Sequence, residues 1–392
     1  MLFSRSSLVT LGSLLLAATL PLASQAKPPA EPAAWQMVTP GPLTVDGRSY
    51  TPSCSGLPGT DPTFRFWARK GAAKNTVVFF EGGGACWDNL TCSAATSQGV
   101  PQFFVPMVLP GTDPATFDGM FRADATNPVN DWNQIYIPYC TGDLHGGSTT
   151  RVYNNVAHPL LPAGMAFPIQ HRGFDNFMAM LDWMKKNQAA PKNLLVTGAS
   201  AGGYGATLNF PWLARAYPNS HVFVLADASQ GITTPGFDLG TPGRGSWNLQ
   251  YAPAFCANPQ ALSGTELLSR VASNMPQAKI AQFTTAFDDV QIYFYCVMTG
   301  ELFGTGACAQ SGPGWYAQMA GSVLGYSATL PNYRYYVAGG GYHTIMRSGL
   351  FYTEASPGVA FNTWLGQMLA NRGGTDGSGG KWFSVACPGC LP

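Results

Sequence analysis

Short, continuous apolar runs mark out the chain before any reactive residue is considered. Thr76-Val77-Val78-Phe79-Phe80, Ile135-Tyr136-Ile137, Asn193-Leu194-Leu195-Val196-Thr197 and Val222-Phe223-Val224-Leu225 each read as a strand covered on both faces. Thr63-Phe64-Arg65-Phe66-Trp67-Ala68-Arg69 alternates in polarity instead, which predicts a half-exposed strand. Phe174 to Lys186 places Phe177, Met178, Leu181 and Met184 on one helical face, and Ala201 to Tyr217 reads as a helix directly after the run at 193–197. Strands alternating with helices require parallel crossovers. The expected fold class is therefore α/β, an α/β-hydrolase-like, mainly parallel sheet with helices on both faces.

From about Gly231 to Leu330 the pattern loosens into Gly, Pro and Ser clusters with short helical runs, among them Gly264 to Met275. This segment is expected to be an insertion over the top of the sheet and its active site, between the nucleophile half and the catalytic histidine. Sheet-like sequence returns at Tyr333-Arg334-Tyr335-Tyr336-Val337, and a final helix is expected over about Val359 to Ala370. Gly373 to Gly380 reads as a flexible linker to a short tail holding Cys387 and Cys390. At the other end, Arg5, an apolar run from Leu8 to about Leu22 and Ser24-Gln25-Ala26 have the form of a signal peptide. The organisation expected is a signal peptide at 1–26, one catalytic domain at 27–372 containing the insertion, and a linker with its tail at 373–392.

Composition narrows the partners. Only 10% of residues are charged and the formal net charge is +1, so nothing offers a field for nucleic acid or an anionic membrane. Beyond the N-terminus no uninterrupted apolar stretch of about 18 residues predicts a membrane span. The mature protein is expected to be exported, secreted or periplasmic. Its nine cysteines then read as disulfides with one left over, and Cys86 and Cys92 are close enough to staple a loop. Cys387-Pro-Gly-Cys390 lacks the helix start and βαβ setting of a redox pair, and the scattered cysteines with no His beside the tail pair do not predict a metal site.

Gly198-Ala199-Ser200-Ala201-Gly202 joins a predicted strand to a predicted helix, the setting in which a sharp turn lifts a serine hydroxyl clear of a sheet. Such a nucleophile needs a base, and the order Ser, acid, His tests the five histidines. His145, His158 and His171 precede Ser200, and His221 lies just before a predicted strand, at the wrong end of the sheet. His343, after Gly339-Gly340-Gly341-Tyr342, remains. For the acid, Asp227, Asp288 and Asp289 all lie between Ser200 and His343, and the residues alone do not separate them. The oxyanion of an attacked carbonyl needs backbone donors, expected from the N–H of Ala201 and from Gly82-Gly83-Gly84 after an early buried strand. His145, close to Asp143, is expected to bond loop backbone, with a place in a substrate groove as the alternative.

Phe80-Glu81-Gly82-Gly83-Gly84-Ala85-Cys86-Trp87, Ile137-Pro138-Tyr139-Cys140 and Gly198-Ala199-Ser200-Ala201-Gly202-Gly203 together resemble the pectin acetylesterase and Notum family of serine carboxylesterases. The resemblance runs from about Cys54 to His343. It implies a triad of Ser200, Asp288 and His343, oxyanion donors at Gly84 and Ala201 with Gly83 nearby, and disulfides Cys54–Cys140 and Cys86–Cys92. No metal or organic cofactor is implied. The activity it implies is carboxylic-ester hydrolysis through an acyl-enzyme, with an O-acetyl group on a polysaccharide such as pectin as the expected substrate. Longer acyl esters or polyesters are the alternative, which the apolar Phe103-Phe104-Val105-Pro106-Met107 keeps open. Rival readings are a catalytically silent glycan- or lipid-binding protein and an amidase using the same triad.

Overall fold

The computed structural model describes residues 33–93, 102–252, 262–301, 308–370 and 382–392. The expected signal peptide, Cys256 and the Gly-rich linker lie outside these residues. One nine-stranded sheet organises the rest. Its strands are β1 (Gln36–Val38), β2 (Phe66–Arg69), β3 (Asn75–Phe80), β4 (Asn133–Ile137), β5 (Asn193–Ala199), β6 (His221–Asp227), β7 (Lys279–Thr285), β8 (Tyr333–Ala338) and β9 (Val385–Ala386). They lie side by side in the order β1-β2-β4-β3-β5-β6-β7-β8-β9, antiparallel at β1/β2 and β2/β4 and parallel from β4 to β9.

The crossovers are made chiefly by α1 (Gly173–Asn187), α2 (Ala201–Ala216), α3 (Gly264–Asn274), the pair α4 (Asp289–Thr299) and α5 (Ser311–Thr329), and α6 (Phe361–Ala370). Every residue of β5 and of β7 is buried. Successive side chains of a strand point to opposite faces, so the centre of the sheet is covered on both sides, as its continuous apolar runs predicted. A two-stranded ribbon, Thr149–Asn154 with Ala166–His171, stands apart from the main sheet between β4 and α1. Among the described residues no helix is long and apolar enough to cross a membrane.

Three expectations are corrected. The strand expected over 63–69 begins at Phe66, and all four of its residues are buried where half were expected to be exposed. Neighbouring aromatics account for this: Phe66 packs edge-on against Trp183, Trp67 against Tyr136, and the Arg69 guanidinium lies 5.0 Å from the centre of the Trp35 ring. Burial lowers the Arg69 pKa from its usual value.

Residues 231–330 are not an insertion throughout, because Lys279–Thr285 forms β7 in the interior of the sheet. Its polar residues hid it. Lys279 Nζ donates to the Met368 carbonyl and Gln282 Nε2 to the Ser229 carbonyl, while the Tyr333 hydroxyl donates to Gln282 Oε1, so they are buried without being orphaned. The same segment holds the nineteen-residue α5, whose Pro313 sits in the first turn, where N–H groups have no intrahelical acceptor.

The tail is part of the sheet. Val385 and Ala386 pair in parallel with Tyr336 and Val337 of β8, and the Trp382 and Trp364 ring centres lie 6.2 Å apart.

Candidate active site

Strand β5 ends at Ala199 and α2 begins at Ala201, leaving Ser200 alone at the turn with φ 58° and ψ −125°. A positive φ strains any residue but glycine by about 1–3 kcal/mol, and such strain persists only where the surroundings enforce it. Here close approach enforces it. A Cβ on Gly198 would come within 2.2 Å of the Gly202 carbonyl oxygen, and one on Gly202 within 1.9 Å of the Phe80 carbonyl oxygen. The turn is also tied to β6: Ser200 N–H donates to the Asp227 carbonyl at 2.8 Å, and the Ser229 hydroxyl donates to the Ser200 carbonyl at 2.7 Å.

His343 follows β8 and its side chain is 13% exposed. Its Nδ1–H donates to the Asp288 carboxylate, 2.9 Å from each oxygen, while Nε2 is buried and makes no hydrogen bond among the described residues. Asp288 follows β7 and caps α4, accepting from the N–H groups of Val290 and Gln291 at 3.1 and 2.9 Å and from Gln291 Nε2 at 3.1 Å. A carboxylate held by three further donors is a fixed anchor for the imidazole ring.

Asp227 takes another place. Its Oδ2 accepts from the N–H groups of Ile345 and Met346 at 2.9 and 2.8 Å, so it holds the backbone beyond His343 and makes no bond to the ring. Its Oδ1 is buried without a partner among the described residues, and burial pushes the carboxyl up to about 7. Asp289 is the first residue of α4, and its carboxylate faces Gly341.

The Gly82-Gly83-Gly84 loop leaves β3 beside the elbow. A Cβ on Gly84, whose φ is +74°, would lie 2.0 Å from the Phe103 carbonyl oxygen. The segment around Phe103 pins the loop: Ala85 N–H donates to the Phe103 carbonyl at 2.9 Å and Val105 N–H to the Gly83 carbonyl at 2.8 Å. Glu81 braces it from behind, accepting from Gly82 N–H and the Tyr136 hydroxyl, each at 2.9 Å, and pairing with Arg347. That ion pair ties the glycine loop to the segment carrying His343.

His145 also serves the loop. Burial depresses its pKa to about 4, so the ring is neutral, and Nε2–H donates to the Glu81 carbonyl at 2.8 Å. This is the backbone role expected of it.

Of the other histidines, His171 contacts the Thr141 carbonyl and the Tyr153 hydroxyl, His158 accepts from Leu160 N–H, and His221 starts β6. Cys54 pairs with Cys140 and Cys86 with Cys92, and two further pairs among the described residues are Cys296–Cys308 and Cys387–Cys390, whose partners the sequence left unassigned. The sulfurs of Cys86 and Cys92 lie near His171, but their disulfide leaves no thiolate to ligate a metal.

One cavity joins these parts, lined by Ser200, Ala201, Gly84 and His343 at one region. The rest of its wall is mainly apolar and includes Trp87, Ile232, Phe237, Leu267, Met298 and Trp315. Most of that wall comes from residues 231–330, the segment expected to lie over the active site. Asp238 and Arg244 are the only carboxylate and guanidinium in the wall among the described residues. Burial raises the Asp238 pKa, and Arg244 opposes the rise.

The sheet order, the sharp turn after β5 and the paired acid and histidine after β7 and β8 make this a protein of the α/β-hydrolase fold. It resembles the pectin acetylesterase and Notum family. A pectinacetylesterase family model matches residues 45–238, which include Ser200 and the glycine loop but neither Asp288 nor His343. The chain is similar to pectin acetylesterase 7 of Arabidopsis thaliana, 29% identical over 49% of this chain and 46% of that protein. It is also similar to the palmitoleoyl-protein carboxylesterase NOTUM of Schmidtea mediterranea, 28% identical over 36% of this chain and 25% of that protein. These matches span less than half the length of either relative. The solved structure of the Wnt deacylase Notum from Drosophila shares the fold, with a TM-score of 0.58, 15% identity and coverage of 91% of this chain and 98% of that one.

Proposed function

We propose that this protein is an exported hydrolase of carboxylic esters in which Ser200 is the nucleophile, His343 the general base and Asp288 the group that orients it. Ser200 Oγ attacks the ester carbonyl as His343 Nε2 takes its proton, and the N–H groups of Ala201 and Gly84, with Gly83 nearby, receive the oxyanion. His343 then protonates the leaving alcohol, and water cleaves the acyl-enzyme by the same steps in reverse. Each oxyanion donor contributes about 3 kcal/mol to the transition state. The observation that carries this reading is that Ser200, Ala201, Gly84 and the Asp288-bonded His343 meet at one cavity. The four disulfides among the described residues support export, since such bonds persist in oxidising compartments.

For the acyl group, the apolar wall of the cavity favours the alternative drawn from sequence. An acetyl group would leave most of an apolar wall of this extent unused, so an acyl chain longer than acetyl is the better match. Deacetylation of a polysaccharide is the second reading, favoured by the match to the pectinacetylesterase model.

A series of p-nitrophenyl esters from acetate to dodecanoate tests both. Each methylene buried is worth about 0.8 kcal/mol, so kcat/KM should rise by up to about fourfold per methylene until the cavity is filled. Ser200→Ala should abolish turnover, and hydrolysis that survives it would sink the esterase reading. Acetate as the best ester, together with release of acetate from acetylated pectin, would establish the second reading.

A further inference from the structure

The cavity wall contains a buried ion pair that the hydrolytic steps do not use. Asp238 and Arg244 are each 6% exposed, and they meet at 3.6 Å between Arg244 Nη2 and Asp238 Oδ1. The only hydrogen bond of the Arg244 side chain among the described residues is a long one, Nη2 to the Asp238 carbonyl at 3.4 Å. Its Nε and Nη1 donors are uncommitted among those residues. Asp238 Oδ2 accepts from the Thr233 hydroxyl at 2.7 Å and from Gly264 N–H at 3.2 Å, but Oδ1 is buried with no hydrogen bond among the described residues. Thr233 and Asp238 also line a second cavity, with Gly231, Pro235, Ser263 and Thr265.

Burying a charge pair costs desolvation, and the cost is offset only where the remaining donors and acceptors are satisfied. Arg244 offers donors, and Asp238 Oδ1 offers an acceptor beside them. A carbonyl could use only the arginine, and a carboxylate would be repelled by Asp238. A hydroxyl group answers both, because its oxygen accepts from Arg244 while its hydrogen is donated to Asp238.

We propose that Asp238 and Arg244 form a subsite for a free hydroxyl group carried on the acyl chain, so that the preferred substrates are esters of hydroxyalkanoic acids, such as the acyl unit at the hydroxyl end of an aliphatic polyester. This rests on the esterase reading and on entry of the acyl chain into the cavity. The aliphatic part lies along the apolar wall, and the hydroxyl reaches the pair where the two cavities share Thr233 and Asp238.

The test uses p-nitrophenyl esters of matched length, butanoate to dodecanoate, whose chains end in methyl, hydroxyl or carboxylate. At one or more lengths the hydroxyl-ended ester should show a KM about tenfold below its methyl-ended partner, as a hydrogen bond to a charged group implies. Arg244→Met and Asp238→Asn should each bring that ratio towards one. The wild-type comparison needs no variant to fold, and Arg244→Lys, which keeps the charge but not the fork of donors, should retain part of the preference.

The absence of any hydroxyl preference in wild type, a preference that survives Arg244→Met, or stronger binding of the carboxylate-ended ester would each overturn the subsite. If acetylated oligosaccharides respond to Arg244→Met and the hydroxyacyl esters do not, the hydroxyl belongs to the alcohol side and the assignment to the acyl chain falls. Thermal shifts of Ser200→Ala with the same esters read recognition without turnover. Failure of the esterase reading is thereby distinguished from failure of the subsite.

Discussion

Asp227 ends β6 and Asp288 lies just beyond β7, both close to His343, yet their surroundings give them opposite tasks. Asp288 is bonded to the ring, so Asp288→Asn should lower kcat by about 10³- to 10⁴-fold, the order seen when a triad acid loses its charge. Asp227→Asn keeps an oxygen for the N–H groups of Ile345 and Met346, and its effect on kcat should be far smaller. Steady-state kinetics of the two variants decide the assignment, and the reverse ranking would overturn it.

Asp227 has a separate signature in stability. Its carboxyl is raised to about 7 in the fold, against about 4 when unfolded, so the folded state holds a proton that the unfolded state has released. The stability this group contributes is complete below about pH 4 and is lost as the pH rises through about 7. Denaturant titrations should therefore show Asp227→Asn gaining on wild type across that window, by up to about 4 kcal/mol. A difference that does not change with pH would remove the buried titration from the account.

Among the elements, the junction of β5 with α2 is the most constrained. The residues around Ser200 are small because two backbone segments pass within contact distance of them. Gly202→Ala would put a methyl 1.9 Å from the Phe80 carbonyl oxygen at the end of β3, the strand that leads into the glycine loop. The cost should be at least about 1–3 kcal/mol in urea unfolding, with activity lost together with stability. Wild-type stability and activity in Gly202→Ala would show that the turn is not packed as described.

This junction was legible in sequence, since an apolar run, a G-x-S-x-G match and a helical stretch come in order. Strand β7 was not. Its seven residues include Lys279, Gln282, Thr284 and Thr285, and only the packed structure shows their polar atoms being satisfied inside the sheet. Helix α5 escaped notice for a related reason, because Gly312, Pro313 and Gly314 read as loop when they occupy a first turn.

At the scale of the whole molecule, the C-terminal tail closes the sheet. Trp382 lies against Trp364 and receives the Lys279 ammonium 4.9 Å from its ring centre, Val385 is buried, and Cys387 N–H donates to the Val337 carbonyl at 2.9 Å. Val337 belongs to the strand that leads to His343. Truncation after Ala370 should lower stability by about 2–4 kcal/mol, the worth of one or two buried apolar side chains. Thermal melting of the shortened chain measures it, and an unchanged midpoint would return the tail to the status of an appendage.

The sequence by itself determined the α/β alternation, the elbow serine, the last histidine and the glycine loop, because these depend on local periodicity, small residues at close approaches and order along the chain. Tertiary structure alone set Asp288 against the His343 ring and Asp227 against the backbone beyond it, drew the tail and β7 into the sheet, and shaped the cavity. Those outcomes depend on which distant groups meet, and no local pattern records that Asp288 will face an imidazole 55 residues away while Asp238 and Arg244 close on each other in an apolar wall.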